Sequence, residues 1–172
     1  PQAIFVPPRF SRYVEISEIV FSIMKEFSPA IETLSLDEAY LDLTASLELF
    51  GNPEGIGREI KERILKTTGL TSSVGIASNK FVAKTASEKN KPDGLCICPA
   101  GKEKEFLAPL PVRAIRGIGK KTALELNLLA IQTAADLAEQ DPAFLKRRFG
   151  KSGEHLWNLA NGIDDSPVQS SE

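Results

Sequence analysis

Asp37 and Glu38 stand side by side in LSLDEAYLDL, residues 34–43, an otherwise apolar, strand-like run. Ionised carboxylates are costly to remove from water unless they are paired, hydrogen-bonded or bound to a metal. Neighbours on one extended strand point to opposite faces, so these two can serve one site only if the chain bends between them. A hairpin junction supplies that bend. Paired carboxylates at a strand end, joined by further oxygen donors, suit Mg²⁺, which prefers hard oxygens and substrate phosphates. Two such ions can activate a 3′-hydroxyl and stabilise a leaving pyrophosphate during nucleotidyl transfer. Spacing alone leaves a surface hairpin with solvated acids as an open alternative. Asp42 is expected to face solvent or to cap the next turn.

Two basic stretches offer complementary chemistry. In SNKFVAKTASEKNKPDG, residues 78–94, Lys80 and Lys84 are i, i+4 neighbours on one helix face, and Lys91 follows beyond the helix end. A lysine held by a Pro-Gly turn is suited to a triphosphate, although a solvated lysine fits the same letters. IRGIGKKTALEL, residues 115–126, has the form of a helix–hairpin–helix, with Gly117 and Gly119 in the turn. Such a turn points N–H groups outward, and the helix that begins there adds its unpaired N–H groups and positive dipole end. Together with Lys120 and Lys121 these groups form a sequence-blind site for a DNA backbone phosphate. An ordinary αα-turn is the alternative. Phe149 to Gly153 (FGKSG) reads as a second, looser hairpin that carries Lys151, and Lys146, Arg147 and Arg148 precede it.

The bulk numbers bound the rest. The 172 residues carry 21 Lys and Arg against 23 Asp and Glu, so net charge alone argues for no polyanionic partner and the clusters must make that case. No apolar run approaches the length of a membrane span, so no membrane partner is expected. Cys96 and Cys98 alternate on one short strand with no further cysteine to complete a zinc set, which predicts reduced thiols and a cytoplasmic setting. His155, the single histidine, is expected on a helix surface or packed rather than in catalysis.

The elements that must position these groups follow from periodicity. Residues 3–6 read as a strand end. Apolar residues recur at three- and four-residue steps from about Arg9 to Phe27, which predicts an amphipathic helix. Strands are expected at 31–36 and 39–43, with Asp37-Glu38 between them. A helix over 54–68 carries an Ile56, Ile60, Ile64 stripe. A strand at 72–77, a helix over 79–90 capped by Ser78, a Lys91–Gly94 turn and a strand at 95–98 complete this part. After Pro99 only short helical patterns remain. The expected class is α+β, with an antiparallel or mixed sheet and packed helices over residues 1–100 and a small all-α domain over 101–165. Residues 166–172 read as the start of a linker.

LSLDEAYLDLT, SVGIASNKFVAKTASEKNKPDGL and IRGIGKKTALEL, in this order and spacing, resemble the Y-family translesion DNA polymerases of the bacterial DNA polymerase IV group, as does the closing LANGIDDSPV. The resemblance covers residues 1–165. It implies an incomplete palm over 1–100 and a helix–hairpin–helix thumb over 101–165, with primer-template DNA and a deoxynucleoside triphosphate as partners. It makes Asp37 and Glu38 catalytic ligands of two Mg²⁺ ions, and Lys91 a contact to the incoming triphosphate. Gly117, Gly119 and Lys120 grip a strand phosphate. The family's first palm strand, with another catalytic Asp, and its fingers would precede Pro1, while its little finger and any sliding-clamp contact would follow Glu172. On that reading the isolated chain does not polymerise. The rival reading is a non-catalytic DNA-binding adaptor of the same architecture.

Overall fold

The computed structural model describes residues 3–170. The chain divides into two compact units, one running to Ser72 together with the segment from Val168, the other from Ser73 to Pro167.

In the first unit, α1 (Phe10–Lys25) and α3 (Pro53–Thr68) bury their apolar stripes together. Ile56, Ile60 and Ile64 form the expected stripe and pack with Ile23 and Phe27. Both ends of α3 are set by sequence. Asn52 Oδ1 accepts from the Gly55 N–H at 2.8 Å, Pro53 occupies the first turn, and Gly69 closes the helix in the left-handed region. A one-turn helix, α2 (Leu47–Phe50), brings Phe50 to 5.3 Å from the Phe27 ring, centroid to centroid.

Strands β1 (Ile31–Thr33) and β2 (Ala39–Leu41) pair antiparallel, with Ile31 opposite Leu41 and Thr33 opposite Ala39. Both are shorter than the sequence suggested. Their far end is tied by the buried Ser28, whose Oγ donates to the Asp42 carbonyl at 2.5 Å. The expected strand over residues 3–6 is not present. These residues form neither strand nor helix, and Phe5 is 95% exposed. β propensity alone does not make a strand without a neighbouring ladder to pair with.

In the second unit, β3 (Val74–Ile76), α4 (Lys80–Lys89) and β4 (Leu95–Ile97) form a β-α-β crossover, and the two strands pair in parallel. The crossover is tight because Gly75 has no side chain. A β-carbon there would sit 1.9 Å from the Ala83 carbonyl oxygen of α4. Asn79, rather than Ser78, caps α4, accepting from the Val82 N–H at 2.9 Å. Ser78 instead donates to Glu103 at 2.5 Å. The first turn of α4 is completed from far along the chain: Asp164 Oδ2 accepts from the Phe81 N–H at 3.0 Å, and Asn79 Nδ2 donates to the Gly162 carbonyl at 2.8 Å.

The helices that follow are short, as the sequence predicted: α5 (Glu103–Leu107), α6 (Lys120–Leu128), α7 (Ala134–Ala138), α8 (Pro142–Phe149) and α9 (Lys151–Ala160). A capping box starts α7, in which Thr133 Oγ1 accepts from the Asp136 N–H and Asp136 Oδ2 from the Thr133 N–H. Asp141 caps α8. One core runs through this unit, from Phe81, Val82 and Cys98 of the crossover to Leu107, Leu126, Leu137, Leu145 and Leu156 of the helices. The change of character at Pro99 is therefore a change of secondary structure within continuous packing. Cys98 is buried, Cys96 is half-buried, and both are free thiols. His155 lies exposed on α9. The tail expected from residue 166 is without helix or strand to Ser170, and Ser171-Glu172 lie outside the described residues. No helix among the described residues is long and apolar enough to cross a membrane.

Candidate functional site

The bend that Asp37 and Glu38 require is present. Residues 34–38 join β1 to β2, and the Glu38 carbonyl accepts from the Leu34 N–H at 2.9 Å and the Ser35 N–H at 3.3 Å. Ser35 Oγ donates to Asp37 Oδ1 at 2.7 Å, which fixes the Asp37 carboxylate on the outside of the turn. Asp37 is exposed and Glu38 half-buried. Asp42 stands apart as a local cap: its Oδ1 accepts from the Thr44 N–H at 2.9 Å, and hydrogen bonds from the Thr44 side chain and backbone hold its carboxyl below the usual range.

Two adjacent hard-oxygen donors on an accessible turn fit a cation that completes its shell with water and phosphate oxygens, as Mg²⁺ does. They do not form a closed protein cage. Among the described residues, no group of three His, Cys, Asp or Glu is placed to hold a metal.

In the second unit, Lys91 lies just past the end of α4 and donates to Glu88 Oε1 at 2.8 Å. Lys84, one turn back, donates to the same oxygen at 2.9 Å. The bonds from Lys91 and then Lys84 hold the Glu88 carboxyl below its usual value, against a smaller opposing effect of burial. Lys89, next to Glu88 on α4, lies instead over the Phe106 ring at 4.7 Å. Glu88, the common partner of these lysines, was not singled out from the sequence. Its i+4 distance from Lys84 and i−3 distance from Lys91 carried that signal.

The hairpin expected at 115–126 is built differently from its outline. Its first arm is a single 3-10 turn, Val112–Ala114, because Pro111 precedes it and Ile115 is already extended. Gly117 has φ +94°, a conformation that side chains disfavour, and the buried Ile118 anchors the turn. Gly119 is different. Its φ of −75° suits any residue, and a β-carbon there would meet nothing within 4 Å, so the glycine leaves open space at the start of α6. No side chain caps α6, nor α9, which begins after Gly150 at the second hairpin. Lys120, Lys121 and Lys151 are exposed at these two starts. The neighbouring cluster is partly committed inside the protein: Lys146 pairs with Glu154 at 2.7 Å and Arg148 with Glu125 at 3.6 Å.

The first 88 residues match the model of the IMS family, described as impB/mucB/samB, and residues 101–129 match the IMS family HHH motif. DNA polymerase IV of Desulfatibacillum aliphaticivorans is 42% identical over 98% of this chain and 43% of its own length. DNA polymerase IV of Pseudomonas aeruginosa (strain UCBPP-PA14) is 43% identical over 98% of this chain and 48% of its own. The chain thus spans less than half of these curated relatives. Among solved structures, DinB from Sulfolobus solfataricus superposes with a TM-score of 0.87 and 35% identity, covering 97% of this chain and 50% of that one. An insertion ternary complex of Dbh DNA polymerase gives 0.87 and 36%, covering 97% and 49%. The carboxylate turn lies within the first matched segment and the Gly117–Gly119 hairpin within the second, and the chain belongs to the impB/mucB/samB family.

Proposed function

We propose that this chain supplies the palm and thumb of an error-prone, template-directed DNA polymerase that works in lesion bypass, with residues 1–100 as palm, 101–165 as thumb and 166–172 as the start of the connection beyond. The observation that carries the reading is the accessible Asp37-Glu38 pair on the β1–β2 turn, in a chain whose relatives are named as DNA polymerase IV. Asp37 and Glu38 hold Mg²⁺. When bound, two such ions lower the pKa of the primer 3′-hydroxyl and offset charge on the leaving pyrophosphate. Ser35 keeps the Asp37 carboxylate aimed outward for this role.

Lys91 neutralises the triphosphate of the incoming nucleotide as a flexible point charge. The starts of α6 and α9, with Gly117, Gly119, Lys120, Lys121 and Lys151, hold backbone phosphates of the primer-template without reading its sequence. A sliding clamp is a further partner on this reading, and the setting is the cytoplasm. Two carboxylates are too few for the complete metal site, so the 172-residue chain alone does not extend a primer.

Primer extension in Mg²⁺ by the full-length protein that carries this sequence, beside its Asp37→Ala variant, tests the reading. Extension that disappears in the variant supports it. Extension retained by Asp37→Ala removes Asp37 from the metal site. No extension by either protein, with duplex binding intact, makes the protein a non-catalytic DNA-binding adaptor.

A further inference from the structure

Lys84 and Lys91 both end on one oxygen, Glu88 Oε1. Their ammonium groups therefore cannot be farther apart than those two bond lengths laid end to end, a span that adjacent phosphoryl groups of a polyphosphate also cover. Two like charges do not converge unaided, and the carboxylate between them is the anion that draws them together. Position makes this reproducible. Lys84 and Glu88 are one turn apart on α4, and Lys91 is brought back to Glu88 at the helix end, where the negative pole of the helix also favours cations. All three side chains reach solvent, with Glu88 half exposed at 49%. Behind them α4 is fixed against β3 by the close approach at Gly75.

We infer that Glu88 is a stand-in anion: it keeps Lys84 and Lys91 converged in the absence of nucleotide, and the triphosphate displaces it and takes both lysines. This rests on the proposed role of Lys91 and adds two residues to it, Lys84 as a second phosphate ligand and Glu88 as the positioning group that competes with phosphate. A carboxylate beside a bound polyanion is repulsive, so Glu88 weakens the binding that it prepares. That trade sets the nucleotide's release as well as its capture.

The probe is inorganic tripolyphosphate, titrated calorimetrically into the 172-residue chain at low salt, with thermal melts confirming that each variant is folded. Glu88→Gln keeps the shape but removes the competing charge, and it should tighten binding about 3- to 10-fold, the size of one like-charge contact near a surface. Lys84→Gln and Lys91→Gln should each weaken binding, and adding Lys84→Gln to Glu88→Gln should cancel most of the gain. Unchanged or weaker binding by Glu88→Gln overturns the inference. Weakening by Lys91→Gln but not by Lys84→Gln overturns it too, while leaving Lys91 as a phosphate ligand. If neither lysine matters, the proposed role of Lys91 falls with it.

Discussion

Two groups of helix starts in this molecule contrast. At α3, α4, α7 and α8 a side chain closes the first turn, from Asn52, Asn79, Thr133 and Asp141 respectively. At α6 and α9 a glycine precedes the first residue, no side chain closes the turn, and the nearest charges are the exposed lysines 120, 121 and 151. An unsatisfied helix start costs stability, commonly about 1 kcal/mol against a good cap. The two glycine-led starts are also the two hairpins, and exposed lysines stand at both. The capped starts close on the protein's own side chains, and on the proposed function the glycine starts are the ones that meet DNA phosphates.

The sharpest way to break this division is to give α6 a cap. Gly119→Asp fits the backbone, with ordinary φ and open space for a β-carbon. It should leave stability within a few tenths of a kcal/mol. A carboxylate at the phosphate position should nevertheless weaken duplex binding by about 10- to 100-fold. Unchanged affinity in a filter-binding or fluorescence titration would show that α6 does not hold DNA.

The converse change is Asn79→Ala, which removes a cap and the bond to the Gly162 carbonyl. It should lower unfolding stability by about 1–2 kcal/mol. A denaturant midpoint left in place would refute the structural role. Smaller still is Lys120→Ala. It should weaken binding a few-fold, equally for unrelated duplexes, and reduce the slope of log affinity against log salt by about 1. A loss confined to one sequence would contradict a backbone contact.

What the sequence revealed and what it hid divide on physical lines. The α1 and α3 stripes, the hairpin glycines and the Asp37-Glu38 bend were legible because each is written in residues a few positions apart. The short-range cap of α4 was misplaced by one residue: Ser78 and Asn79 are both good caps, and only the structure shows Ser78 turned to Glu103. The strand at residues 3–6 failed for a different reason, since a strand is defined by a partner that local pattern does not contain. The sharing of Lys84 and Lys91 by Glu88 was within reach of helical spacing. The Asp164 cap was not, because nothing local ties a carboxylate in the tail to an N–H 83 residues earlier.

Burial would raise the Asp164 carboxyl, but hydrogen bonds from Ser166 and the Phe81 N–H, aided by the charge of Lys80, outweigh it and hold the group ionised below its ordinary range. That long reach has a meaning for how the molecule is made. The ribosome releases Phe81 well before Asp164, and at ~5–20 residues per second those 83 residues take roughly 4–17 s to synthesise. Throughout that interval the crossover lacks its distant cap, while the helices that share its core with Phe81, Val82 and Cys98 arrive one after another. The first turn of α4 is therefore completed only when the last residues of the second unit have been made.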